Sequence, residues 1–122
     1  MKKLASLVVL MLLLSGCRAD MEQAWSRDVL RRHDFTERYE AMSQPESLQI
    51  VEAANILEID RMAALTHKYL DLMAVAYREH DVAEFQTLRM KFVKYMMELE
   101  VAFATGIRPK TSEEIARSEV SP

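Results

Sequence analysis

Residues 56–77 read ILEIDRMAALTHKYLDLMAVAY, and this stretch decides the fold class. Its apolar residues recur at alternating steps of three and four, which places their side chains on one face of an α-helix. A second apolar row runs beside the first, so the helix is predicted to pack against two neighbours. The first row is Ile56, Ile59, Ala63, Thr66, Leu70, Met73 and Tyr77, and the second is Met62, Leu65, Tyr69, Leu72 and Ala76.

Capping signals predict where this helix begins and ends. Residues 43–46 read SQPE, a capping box with proline in the first turn, where a missing N–H costs nothing. The helix is therefore predicted to run from Pro45 to about Glu79. Residues 81–84 read DVAE, a second capping box with Asp81 as its N-cap. So short a link predicts a tight corner and a long antiparallel helical hairpin.

The next helix is predicted by another unbroken apolar row. Gly106 is placed to follow its last turn as the C′ residue, and Pro109 prevents its continuation. Its apolar row is Val82, Phe85, Leu88, Phe92, Met96, Leu99 and Phe103, flanked by Met90, Val93, Met97 and Val101.

The segments on either side of the hairpin have weaker patterns. Residues 18–44 carry one apolar stripe, which is interrupted at residues 31–33. Residues 34–37 read DFTE and resemble a capping box, so this helix is predicted to break and restart there. Residues 107–122 contain few apolar side chains and are predicted to form a flexible tail. The predicted fold class is all-α, with three helices and no strand.

Composition limits the possible functions. The 122 residues contain two glycines and one cysteine, and 29% of them are charged. This composition is typical of one helix-rich globular domain without an internal disulfide. The formal net charge of -3 gives no reason to expect nucleic acid as a partner, because nucleic acid binds a concentrated basic face.

The N-terminus has the pattern of a processing signal. Lys2 and Lys3 precede an apolar segment, residues 4–14, that is shorter than the roughly 17–25 residues a spanning helix needs. Residues 14–17 then read LSGC. These four residues resemble the lipobox of bacterial lipoproteins, which has an aliphatic residue, a small residue, Gly or Ala, and then Cys.

This resemblance implies cleavage between Gly16 and Cys17, a diacylglycerol on the Cys17 sulfur and an acyl chain on its new amino group. Several acyl chains on one residue make a durable anchor, whereas one chain binds a bilayer only marginally. Arg18 stands where Asp favours the inner membrane in enteric-type lipoproteins, so the outer membrane is expected, on its periplasmic side. The chain is thus divided into a signal peptide (1–16), a tether and first helix (17–44), a hairpin (45–106) and a tail (107–122).

No catalytic or metal-binding pattern stands out. The sequence has no G-x-S-x-G, no glycine-rich phosphate loop and no H-E-x-x-H, so an enzyme is not expected. His67 and Asp71 lie one helical turn apart, but two ligands do not make a structural zinc site. Thioethers bind Cu(I) or haem in some proteins. The methionines of the two long helices follow apolar stripes, however, and are predicted to fill the core; they are Met62, Met73, Met90, Met96 and Met97. No cofactor is expected besides the lipid on Cys17.

An interaction module is the function that these observations favour, because a thin hairpin exposes apolar surface unless a partner covers it. The partner is expected to be another envelope protein or a second copy of the chain. In size, anchor and helix content the chain is similar to pilotins and to entry-exclusion or assembly lipoproteins of conjugation systems. The alternative is a helical binder of a metal, haem or small apolar ligand. The candidate partner face is Ile56, Ile59, Leu70, Met73, Tyr77, Phe92, Met96 and Phe103.

Overall fold

The structure is a computed structural model that describes the backbone of residues 2–120 and the side chains of residues 20–119. The described residues are mostly helical, which confirms the predicted all-α class. They form four helices and one small antiparallel sheet, rather than three helices and no strand. The elements are α1 (Lys2–Met42), β1 (Gln49–Val51), α2 (Ala53–Arg78), α3 (Val82–Gly106), β2 (Ile107–Pro109) and α4 (Ser112–Val120).

α2 and α3 lie side by side and run in opposite directions. Tyr77 contacts Phe85 next to the corner, with ring centroids 6.3 Å apart, and Tyr69 stacks on Tyr95 at 5.5 Å midway along the pair. The apolar rows of both helices meet in the interface. The buried large apolar residues and alanine of the two helices are Ile59, Met62, Met73, Ala76, Phe85, Leu88, Phe92, Met96, Leu99 and Phe103.

α1 packs along the groove between α2 and α3. Trp25 stacks on Tyr77 at 5.5 Å near the corner, and Phe35 meets Phe103 edge-on at 5.4 Å toward the opposite end. α1 is continuous through residues 31–37, so the predicted break and restart were wrong. Arg31 instead pairs with Glu100 of α3, which means that the interrupting polar residues contact neighbouring helices.

α2 begins eight residues later than predicted, at Ala53 rather than Pro45. The Ser43 hydroxyl donates a hydrogen bond to the carbonyl of Tyr39, so it closes the end of α1 and does not cap α2. The intervening residues contain β1, which pairs with β2 in the register Gln49–Pro109, Ile50–Arg108 and Val51–Ile107. These strands are three residues long, too short for an alternating apolar pattern to reveal them.

The corner between α2 and α3 has the predicted N-cap. The Asp81 carboxylate accepts a hydrogen bond from the backbone N–H of Glu84 at 3.1 Å. His80 precedes it with φ 55°, a left-handed conformation that glycine adopts without strain. The N–H of Asp81 donates to the carbonyl of Ala76 at 2.9 Å and closes the last turn of α2.

Gly106 does not have the predicted role of a left-handed C′ residue. It is the last residue of α3, and its φ is not positive. A Cβ at this position would lie 3.2 Å from Cβ of Asn55 and 3.3 Å from Cδ1 of Ile59. Close contact between the ends of α2 and α3 is therefore the physical reason that a glycine suits this position.

The segment predicted as a flexible tail contains β2 and α4. The Thr111 hydroxyl accepts from the N–H of Glu114 at 3.2 Å, and the Glu114 carboxylate accepts from the N–H of Thr111 at 3.0 Å. This reciprocal capping box starts α4. The Arg108 guanidinium binds the Glu114 carboxylate through two nitrogens at 2.6 and 3.0 Å, which connects α4 to β2.

Candidate interaction surface

Most of the candidate partner face lies inside the molecule. Its members on the inner side of α2 and α3 pack against each other and against α1, so they are not available to a partner of the folded chain. Leu70 and Tyr77 are half-buried against the same core, and only Ile56 is exposed, at 36%. The buried members, each at most 4% exposed, are Ile59, Met73, Phe92, Met96 and Phe103.

Exposed apolar side chains lie on the outer side of α3 instead. Met90 is 76% exposed, Met97 56% and Val101 62%. Their spacing of seven and four residues places them on one side of the helix. The sequence identifies them as a flank of the apolar row, and the prediction that the methionines fill the core was wrong for Met90 and Met97. Periodicity alone does not show that α1 leaves this flank uncovered. These three residues are called the methionine stripe below.

Beside this stripe, aromatic rings and lysines of α2 and α3 form a second surface, which we call the Tyr–Lys face. The stacked rings of Tyr69 and Tyr95 are inclined by 14°. The ammonium groups of Lys68 and Lys91 each lie 5.8 Å from the centroid of the Tyr69 ring, and that of Lys94 lies 5.7 Å from Tyr95. Leu72, one turn from Lys68 and 42% exposed, completes the face.

Two ion pairs attach α1 to α3. The Asp28 carboxylate, 1% exposed, accepts from Nε of Arg89 at 2.8 Å and from Nη2 at 3.3 Å. Arg31 of α1 pairs with Glu100, which lies further along α3. A buried carboxylate is costly without such a partner, so Asp28 selects an arrangement in which Arg89 reaches it. The pairs join residues 61 and 69 positions apart, and helical spacing does not reveal such a pairing.

Arg32 lies between α1 and α2 and is half-buried. Its Nη1 donates to the hydroxyl of Thr36 at 2.6 Å, and its guanidinium lies 5.3 Å from the centroid of the Phe35 ring. Burial lowers the pKa of Arg32 from its ordinary value. Among the residues with described side chains, its buried Nε has no hydrogen-bond partner. The ring contact and the short hydrogen bond hold the cation against α1.

A cavity of about 710 Å³ lies where the end of α1 meets β1 and the end of α3. Met42, Phe103 and Ile107 form an apolar wall, Arg38 lies at its edge, and Ser47 contributes a hydroxyl. Its volume is in the range of small-molecule sites. The sequence does not predict this cavity. Because α2 was predicted to begin at Pro45, the turn and the strand that line the cavity were not expected.

The histidines lie at the surface. His67 and Asp71 form the predicted one-turn pair, with 3.3 Å between nitrogen and oxygen, and His33 pairs with Glu37 at 3.0 Å. Over residues 20–119, no three or more His, Cys, Asp or Glu side chains are grouped so as to hold a metal ion. In the part of the chain that the structure describes, no helix combines the length and apolarity needed to cross a membrane. Gly16 and Cys17 lie outside the residues with described side chains.

Comparison with known proteins assigns no family to this arrangement. No protein-family model, no curated protein and no solved structure matches the chain. The sequence of the N-terminus and the surfaces described above are therefore the features that bear on function.

Proposed function

We propose that the chain is a bacterial lipoprotein, anchored through Cys17 to the periplasmic side of the outer membrane. In this proposal its helices act as an interaction or assembly module for another envelope protein. The proposal depends on residues 14–17, LSGC, which follow two lysines and an apolar segment in the order that a lipoprotein signal requires. A lipid anchor keeps the module next to membrane-bound partners, so a modest affinity suffices for binding.

Two features of the structure support an interaction module. The methionine stripe and the Tyr–Lys face lie side by side on the exposed surface of α2 and α3, and both expose large side chains. Methionine adapts its shape to a partner at little cost, and tyrosine combines apolar area with a polar end. The tether, the first helix and the α2–α3 hairpin would then form one lipid-attached unit that presents this surface.

The anchor is tested by comparing Cys17→Ser with Ser15→Ala in the full chain. Cys17→Ser removes the sulfur that accepts the lipid, whereas Ser15→Ala keeps a small residue in the lipobox. We expect the wild type and Ser15→Ala to be recovered in the outer-membrane fraction with the mass of a triacylated chain that begins at Cys17. Cys17→Ser should lose the acyl mass. A wild-type product with a free thiol or an intact leader would overturn the proposal.

The interaction module is tested by photo-crosslinking in intact cells. A photoreactive residue at Met97 samples the exposed surface of α3, and the same residue at the exposed Glu37 of α1 is the control. We expect a defined adduct from Met97, none from Glu37, and less adduct when Cys17→Ser is added. Equal labelling from both positions would contradict a specific surface.

The cavity favours one alternative function, the binding of a small apolar ligand. Its wall contains Met42, Phe103 and Ile107, and Ala41 of α1 also lines it. Ala41→Trp would fill this space with a large side chain. Under this alternative, native mass spectrometry of the chain extracted from cells would detect a bound small molecule that Ala41→Trp removes. If the interaction module is correct, Ala41→Trp leaves the Met97 adduct unchanged.

A further inference from the structure

We infer that the Tyr–Lys face binds an acidic amphipathic helix of a partner protein. This inference depends on the proposed interaction module, for which it names the chemical class of the partner. The face consists of Lys68, Tyr69 and Leu72 of α2 and Lys91, Lys94 and Tyr95 of α3. It contains three of the four lysines that follow residue 3, although the whole chain has a net charge of -3.

The lysines of this face have no carboxylate partner within the described part of the chain. None of them forms a salt bridge among residues 20–119. The ammonium groups of Lys68 and Lys91 each lie 5.8 Å from the centroid of the same Tyr69 ring. A carboxylate that approaches this ring would gain a charge-assisted hydrogen bond from a lysine that has no such partner among the described residues.

The other charged groups on this side of α2 and α3 do not neutralise the face. Arg61 is paired with Glu58 at 2.9 Å. Glu98, one turn after Lys94, is exposed and forms no salt bridge with it among the described residues. Asp71, one turn after Lys68, pairs with His67 at 3.3 Å. With His67 neutral, these side chains are four cations and three carboxylates, a net of +1. The face therefore has the opposite sign to the chain as a whole, and charge complementarity favours an acidic partner.

Apolar side chains accompany the lysines in a pattern that suits a helix. Met90 and Met97 lie one turn before and after Lys94 on α3, and Leu65 and Leu72 lie one turn on either side of Lys68 or Tyr69 on α2. Two parallel rows of apolar contacts with lysines between them match an amphipathic helix. Its leucine stripe would cover the tyrosines and methionines, and its carboxylates would meet the ammonium groups.

The position of the face favours a protein over anionic lipid headgroups. Trp25 of α1 packs on Tyr77, so the end of α1 nearer the proposed anchor lies at the α2–α3 corner. That corner contains three carboxylates, Glu79, Asp81 and Glu84, against the one cation of Arg78, and an anionic membrane would repel the excess negative charge. Lys91 lies nine residues along α3, about 14 Å from the corner and beyond the Debye length of about 8–10 Å.

The experiment measures binding of a defined probe to the full lipidated chain in non-ionic detergent. The probe is a fluorescent amphipathic peptide of about 18 residues, or five helical turns, with a leucine stripe and Glu residues four apart. The test variant carries Lys68→Gln, Lys91→Gln and Lys94→Gln. The matched control carries Arg27→Gln, Arg38→Gln and Arg117→Gln, which remove the same charge from other surfaces. A third variant replaces the same three lysines with arginine.

We expect the peptide to bind the wild type, the arginine control and the lysine-to-arginine variant with similar affinity. The lysine-to-glutamine variant, with an unchanged circular dichroism spectrum, should bind about tenfold more weakly, because three exposed ion pairs are lost. Added salt should weaken binding to the wild type more than to this variant. A peptide with Lys in place of Glu should not bind.

Three results would overturn the inference. They are no binding of the acidic peptide, equal binding by the lysine-to-glutamine variant, or lysine-dependent binding of phosphatidylglycerol vesicles without binding of the peptide. The last result would assign the face to a lipid surface. Cys17→Ser separates this inference from the proposed anchor, because an unlipidated chain should still bind the peptide. If lipid is absent from the native protein but the peptide binds, the proposed anchor is contradicted, whereas the inferred binding by the Tyr–Lys face is supported.

Discussion

The α2–α3 pair and α1 are held in the same molecule by different chemistry. The α2–α3 interface is an apolar seam in which Phe85, Phe92 and Leu99 are fully buried. α1 adds apolar residues such as Met21 and Phe35, but it also depends on a buried ion pair with α3. The first interface is non-directional, whereas the second requires particular charges to meet.

The comparison shows how each interface determines its geometry. An apolar seam is stabilised in proportion to the area it removes from water, and neighbouring packings differ little in that area. An ion pair inside an interface penalises every arrangement that leaves its carboxylate unpaired. We expect α2 and α3 to supply most of the stability, and the Asp28–Arg89 pair to fix where α1 lies on them.

The largest effect is expected from Phe92→Ala, which opens a cavity in the α2–α3 seam. The Phe92 side chain is fully buried, so its removal should lower the free energy of unfolding by about 3–5 kcal/mol. Denaturant unfolding followed by circular dichroism measures the loss. Leu57→Ala, at a side chain that is 82% exposed on α2, is the control and should change stability by less than about 0.5 kcal/mol. Similar losses for both variants would show that the seam does not dominate.

A somewhat smaller effect is expected from Asp28→Ala, which leaves Arg89 without its partner. Breaking a buried pair costs about 3–5 kcal/mol, and the partial exposure of Arg89, 27%, places this one near the lower value. Hydrogen exchange should show a greater loss of protection in α1 than in α2 or α3. The double variant Asp28→Leu with Arg89→Met should recover most of the stability, since no charge is left unpaired. If that double variant is as unstable as Asp28→Ala, packing and not charge holds α1.

The same contrast explains what the sequence predicts. The apolar rows of α2 and α3 follow one local rule, and their buried residues are the ones that helical spacing indicates, from Ile59 to Phe103. No local rule explains the polar residues Arg31 and Arg32 in the apolar stripe, because Arg31 pairs with Glu100, 69 positions away. Local sequence suggests that the helix breaks there, whereas in the folded chain these residues contact neighbouring helices. Sequence spacing alone does not distinguish between them.

The candidate surface was harder to predict for a related reason. Periodicity identifies which side chains lie on an apolar face but does not show which neighbour covers that face. Most residues of the predicted partner face pack in the core, because α1 fills the groove that a bare hairpin would expose. The Tyr–Lys face has no sequence motif, since its lysines come from helices that meet only after folding. The sequence also identifies Met90, Met97 and Val101 as a flank of α3, but it does not indicate that this flank stays exposed.

The corner that joins the two seam helices allows a smaller change, in the direction of greater stability. His80 has φ 55°, and a non-glycine residue in this region costs on the order of 1 kcal/mol. His80→Gly should therefore raise the free energy of unfolding by about 0.5–1 kcal/mol, measured by the same denaturant experiment. His80→Val should lower it, because a β-branched residue fits this conformation poorly. A loss on His80→Gly would mean that the imidazole itself stabilises the corner.

The smallest expected effect concerns α4, which is attached to β2 by charge at the surface. The Arg108 guanidinium and the N–H of Thr111 bind the Glu114 carboxylate and lower its pKa from the ordinary value of 4.5 to about 2. A carboxyl whose pKa is lowered by folding contributes stability above its ordinary pKa, and this contribution is lost as the pH falls from about 4.5 through about 2. An NMR titration of the Glu114 side chain should have its midpoint at about 2. Arg108→Gln should move that midpoint upward, whereas Arg117→Gln, on the same helix, should leave it in place. A midpoint near 4.5 in the wild type would show that α4 does not hold Glu114 against Arg108.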